Sequence, residues 1–456
     1  MGGTRIYPST LEVVSTLRIT RRAADRLRTG HLWVYKTDLE PNQLTPDPGA
    51  LVTLTDSRQI PLGTALYSSA SQIAARLISR NPAVTRHQYL TDLRTRIDAA
   101  LQLRRDLVPI TSATDAHRLI FSEADNLPGI IADRYNDLVL IQLLTQGTAQ
   151  DDVRAVLTDT LREGLASASL TLWERPDPRI RELEQLPTPP SGPLFTNCHP
   201  EERSDEGPAS PAEGTNASAP TTTTFTLNNL HFHYDAAAGQ KTGAFLDQRL
   251  NYAAAANAVK ASGRTNKALD ICTYQGGFAL HLAQVCNSVT GIDASRSALE
   301  AADRNLLLNP TLSTKSIEWI EADAFDYLRH LDDLAHPKTP GAPSMMQASS
   351  RHGWDAIVLD PPAFAKSKRA SEGALRGYKE LNLRAIRLLA PGGTLVTNSC
   401  SHHVSLEEFT TIVAAAASDA GRRVQLLETH AAAPDHPEVL TLPETRYLKC
   451  LICRID

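Results

Sequence analysis

Two short stretches near the carboxyl end of this 456-residue chain hold the side chains best suited to chemistry. One is Asp360-Pro-Pro362, which follows the apolar run Ile357-Val-Leu359; the other is Asn398-Ser-Cys400, which follows Val396-Thr397. Proline cannot donate to a sheet ladder, so the first run stops at Asp360 and carries its carboxylate in a stiff loop. A rigid carboxylate beside Phe364 suits gripping a planar base by its hydrogen-bonding edge. Cys400 ends its run shortly before Ser405-Leu-Glu-Glu408, a capping box that opens a helix. A helix N-terminus is one of the settings that lowers a thiol pKa, which makes Cys400 the candidate nucleophile. The plainer readings are a small residue filling a strand tip and a loop stiffened only for packing.

Three more acids stand where apolar runs end. Asp270 lies in Leu269-Asp-Ile-Cys-Thr-Tyr274-Gln-Gly276-Gly-Phe278, whose Gly276 and Gly277 permit a tight turn and a close backbone approach to a ligand. Asp293 closes Gly291-Ile-Asp293, where an acid commonly takes a ribose hydroxyl pair. Asp323, in Glu321-Ala-Asp-Ala-Phe325, can accept from an adenine amino group while Phe325 packs on the ring. The turn is not G-x-G-x-x-G, so a dinucleotide fingerprint fails. One acid for ribose, one for adenine and no phosphate site fit S-adenosylmethionine better than NAD. Taken singly, each acid could be a helix N-cap.

A thiolate, a base-gripping carboxylate and a sulfonium methyl donor together imply one chemistry. C5 of a pyrimidine is a poor nucleophile; adding Cys400 to C6 turns C5 into an enamine-like carbon that attacks the methyl group. A base then removes the C5 proton and the thiol leaves, with Asp360 polarising N3 and the exocyclic amine. Asp435-His436-Pro437 is a candidate for that base. His402 and His403 read as loop residues. Cys450 and Cys453 are half of a metal clasp without a second pair, and residues i and i+3 of a strand face opposite sides, so they read as core and no metal is expected.

These residues need a scaffold. After Phe225 apolar strands alternate with helices: strands near Ala268–Cys272, Ser288–Asp293, Ser316–Glu321, Asp355–Leu359, Thr394–Asn398, Gln425–Glu428 and Tyr447–Arg454. Such alternation predicts a doubly wound, mostly parallel seven-stranded α/β sheet with ligands at the strands' carboxyl ends. Residues 1–86 read as a small β-rich domain, 87–184 as an α+β middle domain, 185–224 as a disordered linker or insertion, and 225–456 as the catalytic domain. Residues 336–352 form a second insert, and Cys198 in the first is given no role.

Composition fits this reading: 42% hydrophobic and 21% charged residues are those of a globular chain. No apolar run approaches the roughly 18–20 residues of a membrane span, no signal-peptide pattern is present, and six scattered cysteines suggest a reducing cytoplasm. The net charge of −5 hides an asymmetry: residues 1–110 hold 15 Lys and Arg against 9 Asp and Glu, compatible with a phosphate-binding face.

The chain resembles the large-subunit ribosomal RNA methyltransferase I family, class I S-adenosylmethionine enzymes that form 5-methylcytosine. Gly30-His-Leu-Trp-Val34 is similar to that family's PUA-like RNA-binding domain, and Phe121 to Ile130 with Asp133-Arg-Tyr135 looks like its middle domain. Gly239-Gln-Lys-Thr-Gly-Ala-Phe-Leu-Asp-Gln-Arg249 resembles the segment closing over the cofactor. The resemblance implies a Rossmann-like fold, ribosomal RNA as partner and S-adenosylmethionine held by Lys241, Thr242, Gln248, Arg249, Asp270, Tyr274, Gly276, Asp293, Asp323 and Asp360, with Cys400 and Asp360 catalytic. Ala363 stands where two-cysteine enzymes carry the second thiol, so Cys400 acts alone. Ala244 replaces a frequent aromatic, and His402-His403 a smaller residue. Guanine N7 methylation on the same architecture, with Cys400 a bystander, is the rival; an idle RNA-binding or assembly factor is another. Monomer and homodimer both stay open.

Overall fold

The computed structural model describes residues 15–108, 110–175, 177–189, 192–197, 221–236, 244–336, 353–364 and 371–456. Lys241, Thr242, Cys198 and most of the two expected inserts lie outside them. The chain divides into two compact units. One takes the described residues of Met1–Leu107, Arg118–Pro220 and Glu438–Pro443; the other takes those of Val108–His117, Thr221–Pro437 and Glu444–Asp456.

In the first unit one five-stranded sheet runs in the order Ser15–Arg18, Leu51–Thr55, Pro61–Tyr67, Ile73–Ser79, Trp33–Tyr35. A short helix, Arg21–Arg28, buries Ala23, Ala24 and Leu27 against it, an element the strand-rich texture of this region did not predict. A second five-stranded sheet is ordered Phe195–Thr196, Thr171–Glu174, Leu138–Leu143, Ile130–Tyr135, Ala116–Phe121. Helices Arg86–Leu107 and Asp151–Leu165 supply buried Leu93, Ile97, Leu101, Val153, Leu157 and Leu161 to its core. The expected linker is corrected here. Phe195–Thr196 pairs with Thr171–Leu172, and in the second unit Thr222–Leu227 pairs with Leu230–Asp235 through the Asn228-Asn229 turn. Both asparagines are left-handed, at φ 52° and 67°, as a two-residue hairpin turn requires.

The second unit is built on seven strands: β1 Lys267–Ile271, β2 Ser288–Asp293, β3 Ser316–Glu321, β4 Trp354–Leu359, β5 Leu389–Ser399, β6 Val424–His430 and β7 Lys449–Ile455. Their order is β3-β2-β1-β4-β5-β7-β6, all parallel except β7, which runs antiparallel to both neighbours. The helices in chain order are α1 Arg249–Ser262, α2 Gly277–Ala283, α3 Arg296–Leu307, α4 Ala324–Ala335, α5 Ser371–Leu388 and α6 Leu406–Ala420. Central strands are apolar throughout, as strands covered on both faces must be: Leu269, Ile357, Leu395 and Cys453 line up in register and are buried. β5 begins five residues earlier than expected, because the chain pairs at Leu389 and bulges through Pro391-Gly-Gly393 before regaining register at Thr394. Among the described residues no helix is long and apolar enough to cross a membrane.

Candidate active site

The turn after β1 carries three left-handed residues, Cys272 at φ 64°, Tyr274 at 53° and Gly276 at 82°. Only the glycine adopts that conformation freely, so the turn is strained and its surroundings must hold it. Asp270 does so from below: one oxygen accepts from Thr273 Oγ1 at 2.6 Å and from the Ala279 amide at 2.9 Å. Asp293, at the end of β2, accepts from the Tyr274 amide at 2.9 Å and from the Ser295 amide at 2.9 Å. The close approach expected at Gly277 is made by the chain itself, because a Cβ there would lie 2.6 Å from the Tyr252 ring.

Above these strand ends opens a cavity of about 630 Å³. Among its walls are Tyr274, Asp293, Asp323 and Phe325, with Gln248, Asp360, Phe364 and Cys400. Several expected site residues stand elsewhere. Asp270 is fully buried and does not line the cavity; its second oxygen, Oδ1, has no hydrogen-bond partner. Gly276 is likewise behind the wall. Arg249 points away, pairing with the buried Asp435 at 3.1 Å. That pair removes Asp435 from consideration as a base on substrate, and His436 lies buried beside it. Asp323 caps α4 through Phe325 and Asp326 amides at 2.9 and 3.1 Å, so the plain capping role holds alongside its place on the cavity wall.

Asp360 and Cys400 extend from β4 and β5, which are adjacent and parallel. Asn398 ties the two strand ends together by donating from Nδ2 to Leu359 O at 3.1 Å. The Cys400 thiol reaches toward Pro361 O at 3.8 Å. Gln248 donates to Asp360 Oδ1 at 3.0 Å, and Asn251 holds Gln248 at 2.6 Å. Asp247 accepts from the Tyr447 hydroxyl at 2.6 Å. Sequence reasoning missed Asp247 and Tyr447, which both line the cavity; no spacing pattern connects residues 200 positions apart.

The electrostatics overturn one expectation. Ser405 and Glu408 do form the capping box of α6, yet the Cys400 thiol is not acidified. Burial, then the charges of Asp360 and Asp247, push it up to about 12. Three carboxylates crowd one desolvated corner, so burial with Asp247 and Asp270 also holds Asp360 well above the usual carboxylate range, with Gln248 pulling the other way. In the resting site the nucleophile candidate is a thiol. His402 packs against Tyr447 with ring centroids 5.4 Å apart, giving it a place beside the cavity wall.

Comparison with known proteins follows the same lines. Residues 17–80 match the PUA-like domain family. The chain is 32% identical over 426 residues to Ribosomal RNA large subunit methyltransferase I of Citrobacter koseri, covering 93% of this chain and 95% of that one. It is 32% identical over 441 residues to the protein of that name from Tolumonas auensis, covering 96% and 99%. A protein described as a SAM-dependent methyltransferase from Streptococcus mutans shares the fold at a TM-score of 0.71 and 17% identity, over 97% of this chain and all of that one. A methyltransferase structure complexed with SAH aligns equally well.

Proposed function

This chain belongs to the ribosomal RNA large subunit methyltransferase I family, and from that premise we propose that it methylates C5 of a cytosine in large-subunit ribosomal RNA through a covalent Cys400 adduct. The observation that carries this reading is that Asp360 and Cys400, at the tips of neighbouring strands, line one cavity. S-adenosylmethionine, when bound, supplies an electrophilic methyl group. The chain fits it: Asp293 offers carboxylate lone pairs at the end of β2, Asp323 keeps Oδ2 beyond its capping bonds, and Phe325 gives an apolar face beside it. Gln248 and the strained Tyr274 turn complete the pocket, and Lys241 and Thr242 belong to the same proposed cofactor segment. Asp270 and Arg249 act one layer back, Asp270 fixing the turn and Arg249 fixing α1 to Asp435.

The raised pKa of Asp360 suits the first step. A neutral carboxylic acid can donate to N3, drawing electrons from C6 as sulfur adds. The Asp360 proton passes to N3, the S–H pair becomes the S–C6 bond, and the thiol proton replaces the one Asp360 gave up. Net, one proton moves from sulfur to nitrogen. After methyl transfer to C5, solvent takes the C5 proton, its bonding pair restores the C5–C6 double bond, the C6–S pair leaves with sulfur, and the N3 proton returns through Asp360 to remake the thiol.

One observation favours a second reading: a thiol pushed up to about 12 is also what a bystander cysteine looks like. In that case the chain methylates a ring nitrogen, such as guanine N7, with no adduct. Cys400→Ala separates the two. Under the C5 mechanism, methyl incorporation into ribosomal RNA from labelled cofactor falls by about 10³-fold or more, because the nucleophile is removed outright. RNA carrying 5-fluorocytidine then cross-links to the native chain alone, since fluorine cannot leave as the proton does. Methylation retained in Cys400→Ala would sink the covalent mechanism.

A further inference from the structure

Lys449 opens β7 directly across from Ser399 of β5. Its side chain is buried, with the residue only 4% exposed. Nζ donates to Ser401 O at 2.7 Å and to Tyr447 O at 2.7 Å. An ammonium has three donors, and no carboxylate among the described residues lies within ion-pair distance of this one, so its third donor has no described partner. Taking a cation out of water without a counter-ion is unfavourable, and the lysine shows that cost: burial lowers its pKa to about 8, while Cys400 and Glu408 act to raise it. A buried ammonium anchored to the residue after the nucleophile and lacking an anion has no evident packing rationale.

The charged and titratable groups facing Cys400 or Lys449 come from six places in the fold, His402 in the loop after β5 among them. Asp360 after β4 and Asp247 before α1 oppose an anion on sulfur, while Lys449 on β7 favours it. On α5 the buried Tyr378 hydroxyl bonds Ser399 and Ser401 at 3.0 Å each, and Glu408 on α6 faces Lys449. Among the described residues, Lys449 is the cation in this set.

We propose that Lys449 is the counter-ion of the Cys400 thiolate: its two carbonyl bonds fix the loop that carries sulfur, and its third donor and positive charge receive the anion when Sγ loses its proton. Lys449 is thus a positioning residue that never touches the substrate. In the ionisation the S–H bond breaks, the electron pair stays on sulfur, the proton goes to solvent in the free protein and to Asp360 during reaction, and Lys449 keeps all three of its own. The inference rests on Cys400 being the nucleophile, but its test does not depend on turnover.

The test is alkylation of the full-length chain by iodoacetamide from about pH 6 to about pH 10, bracketing ordinary thiol and lysine titrations, with Cys400 modification read by peptide mass spectrometry. Cys272 is the internal reference, because it lines the same cavity but Lys449 is not among the charges acting on it. Lys449→Met slows Cys400 alkylation about tenfold at a fixed pH of about 7, where Lys449 is still charged, the effect of one pKa unit on thiolate population, with Cys272 unchanged. Lys449→Arg restores it to within about twofold, since charge is kept. Equal rates in Lys449→Met and the native chain overturn the proposal; a change shared by Cys272 marks general loosening and also overturns it. Should Lys449→Met not fold, the native chain still decides. As Lys449 titrates near pH 8, the slope of log rate against pH for Cys400 drops below one; an unbroken unit slope through that region overturns the assignment. Methylation retained in Cys400→Ala, by contrast, removes the nucleophile reading and leaves the alkylation result standing.

Discussion

Asp270 illustrates how a single buried acid can serve a site it does not line. It holds the strained turn with one oxygen and leaves the other unpartnered, and burial raises its pKa from 3.8 to about 7. Between those two values the folded chain binds a proton here that the unfolded chain releases. Its stabilising contribution is therefore complete below about pH 4 and lost as pH rises through about 7. At roughly 1.4 kcal/mol per pKa unit, the swing is at most about 4 kcal/mol. Asp270→Asn keeps an acceptor for Thr273 and Ala279 but cannot ionise. Thermal unfolding of the full chain should show Asp270→Asn gaining stability relative to the native chain, by several degrees, from about pH 5 to about pH 8. A difference that stays constant over that range would mean the acid titrates normally. The same crowding explains why the thiol at Cys400 needs a counter-ion at all: burial and Asp247, which raise the pKa of Asp360, also oppose an anion on sulfur.

At the level of elements, the packing of α1 on α2 decides the shape of the cofactor turn. A Cβ on Gly277 would sit 2.6 Å from Cζ and 2.7 Å from the hydroxyl oxygen of Tyr252, whose ring also stands edge-on to Phe278 at 4.7 Å. Gly277→Ala should cost about 1–3 kcal/mol, the usual range for overpacking, seen as a lowered unfolding temperature. Tyr252→Leu in the same chain should recover part of the loss; an additive double variant would show that the ring is not what the methyl meets. This contact also marks what was legible in the sequence. The two glycines announced a close approach, but a tyrosine 25 positions upstream carries no pattern that pairs it with them. Strand alternation, the stop at Asp360-Pro-Pro362 and the box at Ser405–Glu408 are local signals, and all appear in the fold. The neighbouring ends of β4 and β5 followed from the topology of a doubly wound sheet. Long-range partners did not: Asp435-His436-Pro437 reads as a candidate base because nothing nearby in sequence names Arg249 as the mate of Asp435, 186 residues away. Thiol acidity failed for the same reason, since the cap was local and visible while Asp247 and the depth of burial were neither.

For the whole molecule, charge distribution decides where a polyanionic RNA can be met. Neither unit is one continuous segment: Glu438–Pro443, between β6 and β7, belongs to the first unit, where Thr441 donates to Gly30 O at 3.0 Å. Truncation would therefore damage both, and the role of the basic first unit has to be tested by point changes in the full chain. The net charge of −5 repels a polyanion, yet the 15 basic against 9 acidic residues in 1–110 place the acidic excess in the remainder. Most arginines of this segment are engaged, Arg26 with Asp38, Arg28 with Asp56 and Arg104 with Asp125, and such pairs have little charge left for phosphate. Arg22 and Arg58 differ, being exposed and without an ion-pair partner among the described residues. A phosphate contact releases about one counter-ion, so each lost contact lowers the slope of log affinity against log salt by about one. Replacing both with Gln should weaken binding to a large-subunit RNA fragment and reduce that slope by up to about two, with the unfolding temperature unchanged because neither side chain is paired. A slope equal to the native one would exclude both arginines from the phosphate contacts. Because alkylation of Cys400 needs no RNA contact, the double variant should lose methyl incorporation into RNA while the Cys400 alkylation rate stays as it was.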